Sequence, residues 1–508
     1  QPIPASQLRC RDWPIFITHL LLIYNITRTF VNRRCRQVMT ISEFAADVVR
    51  NLPYTPNKQQ ELLIGALARF CSSSTPSDSV FVLNGYAGTG KTSLTGALVK
   101  SLRNAGREVV LLAPTGRAAK VFSSHSGYPA STIHRRIYRG PSGDLTGGSP
   151  ILQRNNITNG VFIVDEASMI GDGNGSENSV NLLEDLVEYV FTGDNCRLIL
   201  LGDVAQLPPV GSAESPAMVP ANFKRLGLHV SRAVLTDTVR QSRTSGILRN
   251  ATWLRRAMLM DPLPSPRLLL DGYDDLHVTD GNDVADVVGE CYRADGPDET
   301  IIVTRSNRRA LQFNLGIRSA ILDYEEELVK GERLLIAKNN YTWSAKIKEL
   351  DFIANGDVAI VSSIHSIEEK HGFRFANVTL TLPDKDVDVP CRIFLDTLTD
   401  ESASIDRAEL QRLAEARMAD PEANAPDASW ETRLRRLRKD EYFNALQVKY
   451  AYAVTCHKAQ GAQWKNVVID LGGIAPESQG LEFYRWLYTA TSRATSRLFY
   501  LNPGEMAE

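Results

Sequence analysis

The sequence predicts an α/β fold built from two parallel-sheet units, and three observations carry the prediction. Short β-branched runs alternate with helical segments twice along the chain, a glycine-rich loop ending in Lys-Thr follows the first run, and two acids stand at the tip of a later apolar run. With 508 residues there is room for about three or four structural units. Lys and Arg total 57 against 59 Asp and Glu, so bulk charge attracts no polyanion and any such partner needs a local stripe of positive charge. The seven cysteines are odd in number and scattered without a C-x-x-C pair, which excludes a disulfide scaffold or zinc ribbon and fits a reduced, cytoplasmic setting. The longest apolar run, 15–24, is broken by Thr18 and His19 and falls short of the roughly 20 residues that span a bilayer. No membrane partner is expected.

Taken in order, residues 1–39 read as a basic tail outside the core, with six Arg, no Lys and one acid, Asp12, before Met39. A signal peptide is the competing reading, but the flank after Tyr24 lacks a small-residue cleavage pattern. Thr40 and Glu43 form a capping-box pair ahead of Phe44, Val48 and Val49, so folding is expected to begin with a helix there. Residues 40–235 then carry the runs SVFVLN, REVVLLAP, VFIVDE and CRLILLGD, apolar on both faces as in a covered parallel sheet. A second set, TIIVTR, ALQVKYAYAV, NVVIDL and RLFYLN, places another α/β unit in 236–357 and 445–508. Two stretches break the rhythm. Residues 138–160, rich in Gly, Ser and Asn, suit an inserted hairpin or a flexible loop. Residues 358–444 combine period-2 segments (DVAIVSSI, FANVTLTL, CRIFL) with a charged helical arm, arguing for an inserted β-module.

Gly85-Tyr86-Ala87-Gly88-Thr89-Gly90-Lys91-Thr92 matches G-x-x-x-x-G-K-[ST] between a strand and a helix. Gly85, Ala87, Gly88, Thr89, Gly90 and Ser93 would present backbone amides to phosphate oxygens, Lys91 would reach the β- and γ-phosphates, and Thr92 would hold Mg²⁺. ATP with Mg²⁺ is therefore the expected ligand pair. Asp165 and Glu166, at the tip of VFIV, would hold the metal through water and polarise an attacking water; capping of a helix is the other use of such a pair.

The blocks GYAGTGKT, APTGRAAK, STIH, VDEAS, GDVAQLPPV, VRQS, TCHKAQG and YTATSR follow one another in an order that resembles the motif series of superfamily 1 helicases, and GDxxQLPPV with the HKxQG and YTAxSR ending resembles the RecD/Dda/Pif-type branch. The resemblance implies two RecA-like P-loop domains with an inserted pin hairpin and an inserted SH3-like β-barrel, acting as an ATP-dependent 5′→3′ DNA helicase. It implies that Gln59, with Gln60 as the alternative, reads the adenine edge, that Gln206 senses the γ-phosphate, and that Arg240 and Arg493 serve as arginine fingers. It assigns strand contacts to Pro114, Thr115, Arg117, Thr132, His134, Asn307, Thr455, His457 and Lys458, where small hydroxyl and basic groups suit phosphate oxygens. Single-stranded DNA and duplex junctions are the implied partners of a monomer-competent enzyme working with replication or repair proteins. The pin segment has no Phe, Tyr or Trp between Tyr138 and Phe162, and Ala459 and Gln463 stand where the family often has Ser and Glu. An RNA-directed or remodelling translocase and a nucleotide-gated clamp with little turnover are the alternatives.

Overall fold

The computed structural model describes residues 39–139, 151–171, 181–238, 244–345, 347, 350, 352–383, 385–425, 427–474 and 479–507. The expected basic tail, the tip of the 138–160 hairpin and Arg240 lie outside the described residues. Thr40 opens the helix Ile41–Asn51 as its spacing to Glu43 predicts: the hydroxyl accepts the Glu43 N–H at 3.2 Å and the Glu43 carboxylate accepts the Thr40 N–H at 2.8 Å.

Strands β1 (Ser79–Gly85), β2 (Glu108–Ala113) and β3 (Ala130–Thr132) begin the first sheet. β4 (Tyr138–Arg139) and β5 (Ile151–Leu152) form a separate antiparallel ribbon, the described stem of the expected hairpin. β6 (Gly160–Val164), β7 (Arg197–Gly202) and β8 (His229–Leu235) complete a parallel sheet of order β3-β2-β6-β7-β1-β8. β1, β6 and β7 are buried at every position, because helices cover both faces, and this is what makes them read as unbroken apolar runs. β8 escapes such a reading: it is an edge strand, and His229, Ser231 and Arg232 are exposed.

The second parallel sheet takes β9 (Leu276–Thr279) and β10 (Thr300–Thr304) from before the inserted module. Then β11 (Arg333–Ile336), β12 (Val358–Lys370), β13 (Phe373–Leu382), β14 (Val387–Phe394) and β15 (Leu446–Tyr450) close into a barrel. β16 (Ala453–Thr455), β17 (Trp464–Asp470) and β18 (Ala494–Leu501) return to the sheet, in the order β16-β10-β17-β18-β9. The run 445–454, expected as one strand of this sheet, is divided between barrel and sheet. The carboxamide of Asn314 accepts the N–H groups of both Tyr452 and Ala453 at 2.9 Å, and the Ala451 N–H donates to the Arg333 carbonyl, so the chain turns from one sheet into the other. The barrel thus draws β11 and β15 from outside 358–444.

The arm contributes the helices Arg407–Ala419 and Trp430–Leu437. Leu410 and Leu413 pack on Phe373, Phe375 and Phe394 of the barrel. Arg417 bonds Asp420 and Asp440 while its guanidinium, like that of Arg392, lies over the Tyr442 ring. Among the described residues no helix is long and apolar enough to cross a membrane.

Candidate active site

The glycine-rich loop follows β1, and its shape is fixed by side chains that leave no room for a Cβ. Gly88 and Gly90 have φ of +74° and +78°, and a Cβ on Gly90 would lie 2.4 Å from the Tyr54 hydroxyl. Lys91 opens the helix Lys91–Asn104 without a side-chain cap, so the first amides of that helix face the loop interior. The Lys91 ammonium donates to the carbonyls of Gly85 at 2.8 Å and Gly202 at 3.2 Å, which poises it between β1 and β7. Thr89 is buried and its hydroxyl closes the loop on the Tyr86 carbonyl at 2.8 Å. Thr92 and Ser93, half-buried, follow in the first helical turn.

The two glutamines near residue 60 have different employments. Gln60 is the reciprocal partner of Asn57 in a second capping box, and its Nε2 donates to the Thr89 carbonyl at 3.0 Å, propping the loop from below. Gln59 accepts the N–H groups of Thr236 and Asp237 at 2.9 and 3.1 Å and donates to the Thr236 hydroxyl at 2.8 Å, which ties the helix Lys58–Phe70 to the exit of β8.

Acids from neighbouring strand ends converge on the lysine. Asp165 follows β6; burial first, and then the adjacent Glu166 charge, push its carboxyl up to about 6, against the lowering pull of Lys91. Glu166 takes a left-handed backbone at φ 51°, and its buried Oε2 has no hydrogen-bond partner among the described residues. Asp203, after β7, is buried and accepts the Ala205 N–H at 3.0 Å; burial raises its carboxyl above the usual range while Lys91 and a phenol pull it back. Gln206 sits on the same turn with its buried Oε1 unpartnered among the described residues, as is the hydroxyl of Ser168. These oxygens after β6 and β7, beside the acids on which Lys91 acts, fit a nucleotide with its metal. The hydroxyl of Thr92 and the carboxylate of Asp165 are the hard donors Mg²⁺ uses alongside substrate phosphates.

The second domain closes over this loop. From the helix Leu481–Thr491, the Tyr488 hydroxyl accepts the Ala87 N–H at 2.9 Å and donates to Asp203 Oδ2 at 2.7 Å. Thr489 beside it accepts the Leu207 N–H at 2.9 Å, and Gln460 donates to the Leu207 carbonyl at 2.9 Å. The Arg255 guanidinium stacks on the Tyr86 ring at 4.2 Å. A cavity of about 410 Å³ beside Asp203 and Gln206 is lined also by Tyr86, Arg232, Arg255 and Arg485. Arg493 is directed elsewhere: it is buried and donates to the carbonyls of Thr489 and Ala462 and to the Ser492 hydroxyl, all in its own domain. Residues Tyr488, Asp203 and Arg255 went unassigned by sequence reasoning. Asp203 carried a usable signal, since like Asp165 it ends an apolar run; nothing local marks Tyr488 or Arg255.

The expected strand contacts lie at loop tips of both domains. Pro114 and Thr115 follow β2, and Thr115 caps the helix Gly116–Ser126 by accepting the Ala118 N–H. The Arg117 guanidinium lies 4.5 Å from the Trp464 ring of the second domain, and Lys120 pairs with the buried Asp357 at 2.8 Å. Thr132 caps the short helix that carries the exposed His134. Asn307 begins the helix after β10, and Thr455, exposed His457 and half-buried Lys458 follow β16. A small cavity lined by Asn307, Thr455 and Lys458 also contains Lys449 of β15. Burial lowers the Lys458 ammonium and pushes that of Lys449 down to about 8, with Lys458 adding repulsion and Asp400 opposing it. Lys449 is thus a cation that sequence reasoning overlooked.

Two family models match the chain, one described as AAA domain over residues 57–259 and one as UvrD-like helicase C-terminal domain over residues 450–500. Protein R530 of Acanthamoeba polyphaga mimivirus is 22% identical over 88% of this chain and 99% of its own. The ATP-dependent RecD2 DNA helicase of Deinococcus radiodurans is 38% identical over 25% of this chain and 16% of its own, and the ATP-dependent DNA helicase dda of Enterobacteria phage T4 is 25% identical over 50% and 55%. The chain therefore spans about half of the phage helicase and a small part of RecD2. Among solved structures, Pif1 helicase from Bacteroides in complex with ADP-AlF3 and ssDNA superposes over 87% of this chain and 92% of that one, with 15% identity and a TM-score of 0.45.

Proposed function

We propose that this chain, which belongs to the superfamily 1 helicases of the RecD/Dda/Pif type, is an ATP-dependent 5′→3′ DNA helicase that couples hydrolysis to movement along single-stranded DNA and to duplex unwinding. The observation that supports the reading is a phosphate-loop lysine beside the Asp165 and Glu166 carboxylates, with the Tyr488 hydroxyl of the helix Leu481–Thr491 bonding both that loop and Asp203, from which the turn to Gln206 starts. A ligand whose phosphates lie on the loop therefore sees both domains, and a change in its charge reaches the strand-facing loops of each. When bound, Mg²⁺ would neutralise charge on the β- and γ-oxygens, held by Thr92 and Asp165. Lys91 would hold the phosphates, Glu166 would orient and deprotonate water, and Gln206 would register the γ-phosphate. Arg240 and Arg493 are assigned the finger role, with Arg493 having to exchange its present carbonyl partners for phosphate oxygens. Strand contacts fall to Pro114, Thr115, Arg117, Thr132, His134, Asn307, Thr455, His457 and Lys458, and adenine contact to Gln59. The enzyme would act as a cytoplasmic monomer at duplex junctions.

The deciding experiment measures ATP turnover with and without oligonucleotide, and displacement of 5′- and 3′-tailed DNA and RNA duplexes. Turnover stimulated by DNA, displacement only with a 5′ DNA tail, and loss of both in Lys91→Ala with strand binding retained are the expected results. Undiminished hydrolysis by Lys91→Ala refutes the site, and preference for RNA tails refutes the substrate.

A further inference from the structure

Tyr488 is the one side chain of the helix Leu481–Thr491 that bonds both the phosphate loop and the loop carrying Gln206. Its hydroxyl has a single proton, given to Asp203 Oδ2 at 2.7 Å, and its lone pair receives the Ala87 N–H at 2.9 Å. Ring and hydroxyl are buried, so neither bond has water as a substitute. Burial and the nearby Asp203 charge hold the phenol well above its ordinary range, which keeps the donated proton in place at any physiological pH.

The contacts continue outward through hydrogen bonds and the peptide links between them. Asp203 accepts the Ala205 N–H, and its own carbonyl accepts the Gln206 N–H at 3.2 Å. The next residue, Leu207, is held by Thr489 at its N–H and by Gln460 at its carbonyl. Gln460 directly follows the short helix Cys456–Ala459, which bears His457 and Lys458, and the Cys456 thiol bonds the Trp486 carbonyl of the same long helix. A displacement of the phosphate loop at Ala87 thus has a route of hydrogen bonds and peptide links to the loop that bears His457 and Lys458.

We infer that Tyr488 is a positioning residue that couples the state of the phosphate loop to the grip on the strand, acting through Asp203 and the Gln206 turn. The inference rests on the motor reading above and adds to it the element that transmits.

Tyr488→Phe keeps the ring packing and removes both hydrogen bonds. In the full chain the KM for ATP should stay within about threefold of the parent while strand-stimulated kcat falls at least about tenfold. The difference in single-strand affinity between the chain with and without a non-hydrolysable ATP analogue should vanish. Thr489→Val, which removes the Leu207 bond and the hydroxyl's bond to the Arg485 carbonyl within its own helix while leaving Tyr488 in place, should weaken the same coupling and guards against a Tyr488→Phe chain that fails to fold. Should both variants keep full strand stimulation and a nucleotide-dependent strand affinity, the inference is overturned. A parent chain that shows no strand stimulation at all would instead overturn the motor reading.

Discussion

The carboxylates of Asp165 and Glu166, adjacent in sequence, have opposite surroundings: Asp165 Oδ1 accepts the Glu166 N–H at 2.9 Å, whereas Glu166 Oε2 is buried without a partner among the described residues. The left-handed backbone at Glu166 separates them, turning the second acid out of the strand direction that the first continues. A carboxylate oxygen held dry and unbonded is suited to accept a proton from water placed before it. Replacing Glu166 by Gln keeps the shape and removes the base. Turnover should fall by about 10²–10⁴ while nucleotide binding persists, as measured by single-turnover hydrolysis beside equilibrium titration with a fluorescent ATP analogue. Wild-type-like turnover in Glu166→Gln would reassign the base.

Asp165 sets a pH limit. Its carboxyl is pushed up to about 6, first by burial and then by Glu166, so as pH falls through 6 it protonates and loses its value as a metal-side ligand. The acid limb of kcat/KM for ATP is expected near pH 6, with the Mg²⁺ requirement rising below it, and Glu166→Gln should move that limb to lower pH. The stability effect has the reverse sense. Because the folded value lies above the unfolded one, near 3.9, the native chain holds the extra proton between about pH 4 and 6. This carboxyl's contribution to stability is thus full below the unfolded value and is lost as pH rises through about 6. A pH-rate profile at limiting Mg²⁺ tests the first statement, and an Asp165→Asn chain whose melting no longer shows that pH slope tests the second.

How far such chemistry could be read in advance depended on whether the signal was local. β1, β6 and β7 were legible because burial on both faces enforces unbroken apolar runs, and the acids at 165 and 166 were legible because they end one. β8 was not, because an edge strand tolerates His229, Ser231 and Arg232. The break within 445–454 was hidden as well, since it is imposed by the carboxamide of Asn314, more than a hundred positions earlier. The Tyr488 phenol meets Ala87 across 401 positions, and no spacing rule reaches that far. Gln59 and Gln60 could not be told apart from composition, whereas their partners, Thr236 and Thr89, separate them at once.

Lys449 predicts a pH-dependent grip. Its ammonium, lowered to about 8 by burial, shares a small cavity with Lys458, Asn307 and Thr455. As pH rises through 8 the charge is lost, so single-strand affinity should weaken between about pH 7 and 9, with proton uptake on binding in that window. Fluorescence anisotropy with a labelled oligonucleotide at constant ionic strength measures the first effect. Lys449→Met should bind more weakly at pH 7 and lose that pH dependence. A Lys449→Met chain with an unaltered pH profile would assign the effect to another group.

Arg493 is expected to show a structural penalty and a catalytic one in the same variant. Its Nε, Nη1 and Nη2 donate at 3.0, 3.1 and 2.9 Å to the Thr489 carbonyl, the Ala462 carbonyl and the Ser492 hydroxyl. An ammonium concentrates its donors at one point and cannot span three acceptors set around a planar fork, so Arg493→Lys leaves at least one of these buried acceptors without its bond. That costs about 1–3 kcal/mol and should lower the melting temperature by a few degrees without nucleotide. For the guanidinium to serve a phosphate, bonds charged on both sides must outweigh the bonds from the charged guanidinium to neutral carbonyl and hydroxyl oxygens that they displace. The parent chain should therefore gain more thermal stability from an ATP analogue than Arg493→Lys does, and turnover of the variant should drop by about 10³. Equal stabilisation of the two chains by the analogue would mean that Arg493 keeps its carbonyl partners throughout the cycle, leaving the finger role to Arg240.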